Sequence, residues 1–157
     1  MAFTHRWLLP LSLVCALLGA LAMSILNPTK TCVFSAVKAR LMMSGAPLEG
    51  VTVIRRWEWH ELREETTVTD ARGNFSFPAA FESSITRMLP MELVVAQGLY
   101  VKVGGEEKKF WSNSKRAPQE NAEYDGRSIS LVCELTHEMK TTRENGSIRS
   151  TLCTWAQ

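Results

Sequence analysis

The residues with the most chemical potential lie close together. Arg55, Arg56, Trp57, Trp59 and His60 place two guanidinium groups, two indole rings and an imidazole on one short stretch. That composition anchors protein interfaces, where Trp and Arg carry much of the binding energy. The alternative is that both tryptophans complete a core, because aromatics dominate burial in small domains. On an extended strand Val51, Val53, Arg55, Trp57 and Trp59 share one face, and Thr52, Ile54, Arg56, Glu58 and His60 share the other. A charged Arg55 on the tryptophan face implies that this face opens to solvent or that a bulge intervenes.

Other constellations are weaker. His60-Glu61-Leu62-Arg63-Glu64 begins like the H-E-x-x-H zinc motif, but Glu64 stands where the second His belongs and the flanks read as strand. His137 beside Glu138 reads as solvated chain. Serines are plentiful, yet no G-x-S-x-G occurs, and nothing sets His60 or His137 beside a buried carboxylate. Glu106-Glu107 sit in a Gly-rich turn. No catalytic residue, metal ligand or cofactor is therefore expected. Lys108-Lys109 and Lys115-Arg116 flank Trp111, a patch able to stack on single-stranded nucleic acid or to keep a sheet edge soluble. The chain carries 18 Lys+Arg against 16 Asp+Glu, a net charge of +2, which argues against nucleic acid as the partner.

The elements that must position these residues are short strands. The 157 residues, 45% of them hydrophobic, suit one folded domain and exclude wholesale disorder. Val37, Ala39 and Leu41 alternate with Lys38 and Arg40, a half-buried strand. Ser44-Gly45-Ala46-Pro47 turns the chain into a second strand from Val51 through Trp57 and Trp59. Glu61–Glu65 reads as a turn and Thr66–Thr69 as a β-branched return strand. Asp70-Ala71-Arg72-Gly73-Asn74 is a strong turn signal, since Asp and Asn bond their own backbone and Gly supplies positive φ. Phe75 and Phe77 follow as a strand. Ser83–Leu89 is the one helix expected. Leu93–Val103 returns to strand character with a break at Gln97-Gly98, and Gly104-Gly105 forms a hairpin leading to Lys108–Trp111. Asn113–Gly126 reads as loop, Ile129–Leu135 as the last confident strand, and Ser147–Trp155 as an added edge. The expectation is an all-β, single Greek-key β-sandwich over residues 32–135, with 136–157 as a tail.

The N-terminus sets the compartment. Trp7 to Leu26 contains no charge, after His5 and Arg6. Either residues 1–22 are a cleaved signal peptide, with Ala20 and Ala22 at the inspected positions, or residues 7–26 remain as a membrane anchor. Both readings put the folded part in the periplasm, with membrane contact only through this segment. Cys32, Cys133 and Cys153 then allow one disulfide and leave one thiol. Cys133–Cys153 would tie the tail to the last strand, whereas Cys32–Cys133 would staple first strand to last. Spacing does not choose between them.

Two segments together carry a resemblance. Gly45-Ala46-Pro47-Leu48-Glu49-Gly50-Val51-Thr52-Val53 and Thr69-Asp70-Ala71-Arg72-Gly73-Asn74-Phe75-Ser76-Phe77 resemble the carboxypeptidase-regulatory-like, or transthyretin-like, β-sandwich. Cys32-Val33-Phe34-Ser35, Trp57-Glu58-Trp59-His60, Phe110-Trp111 and Leu131-Val132-Cys133-Glu134-Leu135 also resemble a small bacterial exported family that includes type VI secretion immunity proteins. That resemblance implies a non-enzymatic periplasmic protein which blocks a cognate effector toxin. The expected contact residues are Arg55, Arg56, Trp57, Trp59, His60 and Trp111. The alternative is a structural or carbohydrate-binding accessory module of the envelope.

Overall fold

The computed structural model, which describes residues 30–84, 90–144 and 146–156, has thirteen strands, and alternation of inward apolar and outward polar side chains marks Val37–Met43, Asn74–Phe77 and Ile129–Glu134 most clearly. In chain order they are β1 Lys30–Phe34, β2 Val37–Met43, β3 Ala46–Pro47, β4 Thr52–Glu58, β5 Leu62–Val68, β6 Asn74–Phe77 and β7 Ala80–Ser83. There follow β8 Val95–Val103, β9 Glu106–Lys115, a 3-10 turn at Ala122–Tyr124, β10 Ile129–Glu134, β11 Lys140–Glu144, β12 Ser147–Thr151 and β13 Cys153–Trp155. The signal or anchor segment lies outside the described residues, as does most of the expected helix, whose Ser83 ends β7 instead.

Two sheets form the layers of an all-β sandwich. One has the order β11-β12-β9-β8-β4-β5 and is antiparallel throughout. The other runs β13-β10-β2-β3, with β6 beside the first half of β2. There β10 and β2 pair in parallel, from Ile129 opposite Val37 to Glu134 opposite Met42. A small third sheet pairs β1 with β7. The inward residues meet in one core: Val37 and Leu41 of β2, Phe75 and Phe77 of β6, Val53 of β4, Leu99 and Val101 of β8, Phe110 and Trp111 of β9, and Ile129 and Leu131 of β10.

The turn read from Asp70 to Asn74 forms as its chemistry requires. The Asp70 carboxylate accepts the amides of Arg72 and Asn74, each at 2.8 Å, and the Asn74 side chain at 3.0 Å. Gly73 adopts φ +77°, and a Cβ there would lie 2.3 Å from the Leu41 carbonyl oxygen, so this position demands glycine. At the turn between β2 and β3, the Glu134 carboxylate accepts the amides of Ser44 and Gly45, each at 2.9 Å, and it also accepts the Thr136 hydroxyl at 2.7 Å.

Four expectations need correction. Glu61–Glu65 is not simply a turn: β5 begins at Leu62, because Glu64 and Glu65 lie opposite Arg56 and Arg55 and pair with them across the strands. β8 runs unbroken through Gln97-Gly98, and its irregularity falls at Leu99/Tyr100. β9 continues to Lys115, so Asn113 and Lys115 belong to a strand. The last segment is not a tail with one edge. β11 and β12 extend one sheet and β13 extends the other.

The disulfide follows from that last addition. Cys133 on β10 lies directly opposite Cys153 on β13, and the two are bonded. Cys32 is the buried free thiol.

Candidate functional site

β4 places Arg55 and Trp57 together on the inner face of its sheet and its other charged residues on the outer face. Val53, Arg55 and Trp57 point inward, and Arg56 and Glu58 point outward. Arg55 is fully buried, and its guanidinium sits 4.8 Å from the Phe77 ring centroid, 5.2 Å from Phe34 and 5.3 Å from Trp57. It donates to the Pro78 carbonyl oxygen at 2.5 Å and pairs with the Glu65 carboxylate. Burial pulls its pKa down, and the bond and charge of Glu65 work against that. The face therefore neither opens to solvent nor bulges at Arg55. An aromatic cage and one carboxylate keep the charge inside, as buried charges require.

The same burial corrects the predicted contact set. Trp57 is 6% exposed and donates its indole N–H to Glu82 at 2.6 Å, and Trp111 is fully buried with its indole N–H bonded to the Tyr124 hydroxyl at 2.9 Å. Arg55, Trp57 and Trp111 are thus core residues, out of a partner's reach in this conformation. Trp59, His60 and Arg56 remain toward the surface. Trp59 and His60 stack at 4.3 Å between centroids just past the end of β4. Arg56 lies on the outer face, held by Glu64 and by both carboxylate oxygens of Glu107, with its ring neighbour Tyr100 at 4.7 Å. These partners push the Arg56 pKa up and hold Glu107 below the usual carboxylate range. Beside them a groove of about 300 Å³ is lined by Arg56, Leu62, Tyr100 and Lys109. Leu62 is 64% exposed, a large apolar side chain at the groove's rim.

The densest polar chemistry lies inside, where the sequence reading expected loop and basic patch. The Glu123 carboxylate accepts the Ser35 hydroxyl at 2.5 Å, the Lys115 ammonium at 2.7 Å, the Gln97 amide at 2.8 Å and the Ser35 backbone N–H at 3.1 Å. Gln97 also donates to the Val33 carbonyl at 2.8 Å and accepts from Asn113 at 2.9 Å. Burial alone would raise the Glu123 pKa, but the Lys115 charge and the bonds from Lys115, Ser35 and Gln97 together hold it below the ordinary value. Cys32 stands 3.8 Å from the Ser35 hydroxyl, and burial pushes its thiol pKa up. A serine beside a lysine and a carboxylate is the raw material of nucleophilic catalysis. Here the Ser35 hydroxyl already donates to Glu123 and accepts the Asn121 amide at 2.7 Å, and the Lys115 and Glu123 side chains have no exposed surface. The arrangement clamps the segment carrying Asn121 and Glu123 onto β1 and β9. Strand parity carried a signal for it: Gln97 shares its face with Val95 and Leu99, and Lys115 with Trp111 and Asn113.

Among the described residues, no group of three or more His, Cys, Asp and Glu side chains is arranged to hold a metal ion.

A β-sandwich with a buried polar clamp and a polar, groove-bearing outer face is the class that fold and site define. The chain belongs to the family of the domain of unknown function DUF6795, whose model matches residues 37–138. No curated protein and no solved structure gives a significant match. The match runs from the start of β2 past the end of β10 and so takes in Arg55–His60, Trp111 and the clamp residues Gln97, Lys115 and Glu123.

Proposed function

We propose that this protein works by binding, as an exported immunity protein that sterically blocks a secreted antibacterial effector. The observation that supports the reading best is the outer end of β4. Trp59 stacked on His60, the ion-paired cluster of Arg56 with Glu64 and Glu107, and exposed Leu62 offer aromatic, charged and apolar contacts at one strand-end of the sheet. The compartment and the partner class in this reading rest on the resemblance of Cys32–Ser35, Trp57–His60, Phe110-Trp111 and Leu131–Leu135 to that exported bacterial family. The charged rim of Arg56, Glu64 and Glu107 would set partner choice, since unmatched charges penalise wrong partners.

The test is a pull-down from an envelope fraction of the native host, comparing wild type with Arg56→Ala/Trp59→Ala. Recovery of one secreted toxin with the wild type, and its loss from the variant, supports the proposal. Recovery of the same partners by both proteins refutes the contact surface. Retention on cell-wall polymer with no protein partner would favour the envelope accessory reading instead.

A further inference from the structure

Most arginines on the other surfaces are matched by glutamate: Arg56 with Glu64 and Glu107, Arg63 with Glu61, Arg116 with Glu92, and Arg149 with Glu144. The outer face of the β13-β10-β2-β6 sheet brings two cations without such a match side by side on one strand. Lys38 and Arg40 project from the outward positions of β2, and neither forms an ion pair with any described carboxylate. They line a groove of about 700 Å³.

The register defines the floor of that groove. Lys38 lies between Ser76 of β6 and Ser130 of β10, and Arg40 between Asn74 and Val132. Arg40 Nε donates to the Arg72 carbonyl at 2.9 Å, which fixes its stem and leaves the end of the guanidinium for other acceptors. The one carboxylate in the lining, Asp70, is engaged by the amides of its own turn and by Asn74. Val68, 59% exposed, forms an apolar wall. The groove is thus cationic at its centre, hydroxyl-lined beside it and apolar at one side.

We propose that this groove docks an extended acidic segment of a protein partner, with carboxylates at alternate positions. The inference rests on the binding reading above and adds a second contact to it. The spacing argues for a peptide. Lys38 and Arg40 are two residues apart on one strand, so their Cα atoms are separated by about 6.5–7 Å. Alternate side chains of an extended peptide have that same period, so Glu-x-Glu laid along β2 sets one carboxylate on each cation. Arg40 offers the planar fork that binds a carboxylate through two bonds. Ser76 and Ser130 offer hydroxyls to the peptide's polar groups.

The test uses a fluorescein-labelled (Glu-Ser)4 peptide, the matching (Gln-Ser)4 peptide and the full chain, read by fluorescence anisotropy at low and moderate salt. The expected result is binding of the acidic peptide only, weakened by salt and reduced about tenfold or more by Lys38→Glu/Arg40→Glu. Lys140→Glu, on the exposed strand β11, should bind as wild type. Thermal melts of the variants check folding, and both substituted residues of the groove lie on the outer face. Equal binding by wild type and the double variant overturns the proposal. So does absence of binding at about 1 mM peptide, or a groove that takes inorganic phosphate and rejects the peptide. Peptide binding is read independently of toxin capture. A chain that captures a toxin but fails the peptide test loses the groove alone, and one that binds the peptide but captures no toxin loses the immunity reading alone.

Discussion

Replacing Lys115 by Met isolates the buried clamp. The substitution keeps most of the aliphatic stem and removes the cation. Both Lys115 and Glu123 side chains are 0% exposed, so solvent does not screen the pair. In the variant the Glu123 carboxylate keeps three bonds from Ser35 and Gln97, all from neutral groups. Losing one charge-assisted bond costs about 1.5–3 kcal/mol, and stranding a buried charge raises the cost to about 3–5 kcal/mol. The sign of the pH dependence follows from the Glu123 pKa. In the wild type its folded value lies below the unfolded one, so its stabilisation is present above the unfolded pKa and lost as pH falls through the folded pKa. Without Lys115 both of its lowering effects are gone, and burial, the largest single cause, should carry the folded value above the unfolded one. The penalty is then full near pH 7 and shrinks as Glu123 takes up a proton, by about 1.4 kcal/mol for each unit of the rise. Urea unfolding followed by tryptophan emission, near pH 7 and near pH 4.5, measures both effects. Lys115→Met/Glu123→Gln removes both charges and should recover most of the loss. A single variant within about 1 kcal/mol of wild type at neutral pH, with no pH dependence, would refute the description of a desolvated pair.

Other outcomes follow from single positions. Gly73→Ala forces a Cβ against the Leu41 carbonyl at positive φ and should cost at least about 2 kcal/mol in chemical denaturation. Gly104→Ala, with open space around it, should cost about 1 kcal/mol. Cys133→Ser/Cys153→Ser opens a loop with a sequence separation of 20 and should lower stability by about 3 kcal/mol, read by the denaturation midpoint under oxidising conditions. Glu134, held by the Gly45 amide and by Thr136 and Ser44, has its pKa lowered to about 2. The Ser44 and Gly45 amide NMR shifts should therefore titrate near pH 2, while the carboxylate's contribution to stability, full above its unfolded pKa, is lost progressively as pH falls from there through the folded value. Trp57→Ala should cost about 3–5 kcal/mol, as a core truncation does, while Trp59→Ala, at a half-buried position packed against the edge of the core, should lower the melting temperature less than Trp57→Ala does.

Period-two alternation made the sheet residues legible: Val37, Ala39 and Leu41 face in, as do Phe75 and Phe77, and Asp70 and Gly73 close their turn by local chemistry alone. Charges misled the reading wherever a distant residue neutralised them. Arg55 looked like a sign of solvent, but its cage draws Phe34 from β1 and Phe77 from β6. Lys115 looked like a surface cation, but Glu123 and Ser35 meet it only after β1, β9 and the following turn assemble. Glu64 and Glu65 looked like turn residues because their partners lie across the hairpin on β4. The disulfide was ambiguous because loop entropy favours either pairing almost equally. The register of β10 with β13 decides it.

The most direct measurement of the central claim is protection. The full chain is expressed together with the secreted toxin that the immunity reading requires to be encoded beside its gene, and growth is followed with the toxin directed to the periplasm. The account predicts that growth is restored by the exported chain and lost again with Arg56→Ala/Trp59→Ala. Growth restored equally by a chain confined to the cytosol, or no restoration by a folded and exported chain with any neighbouring toxin, would contradict it.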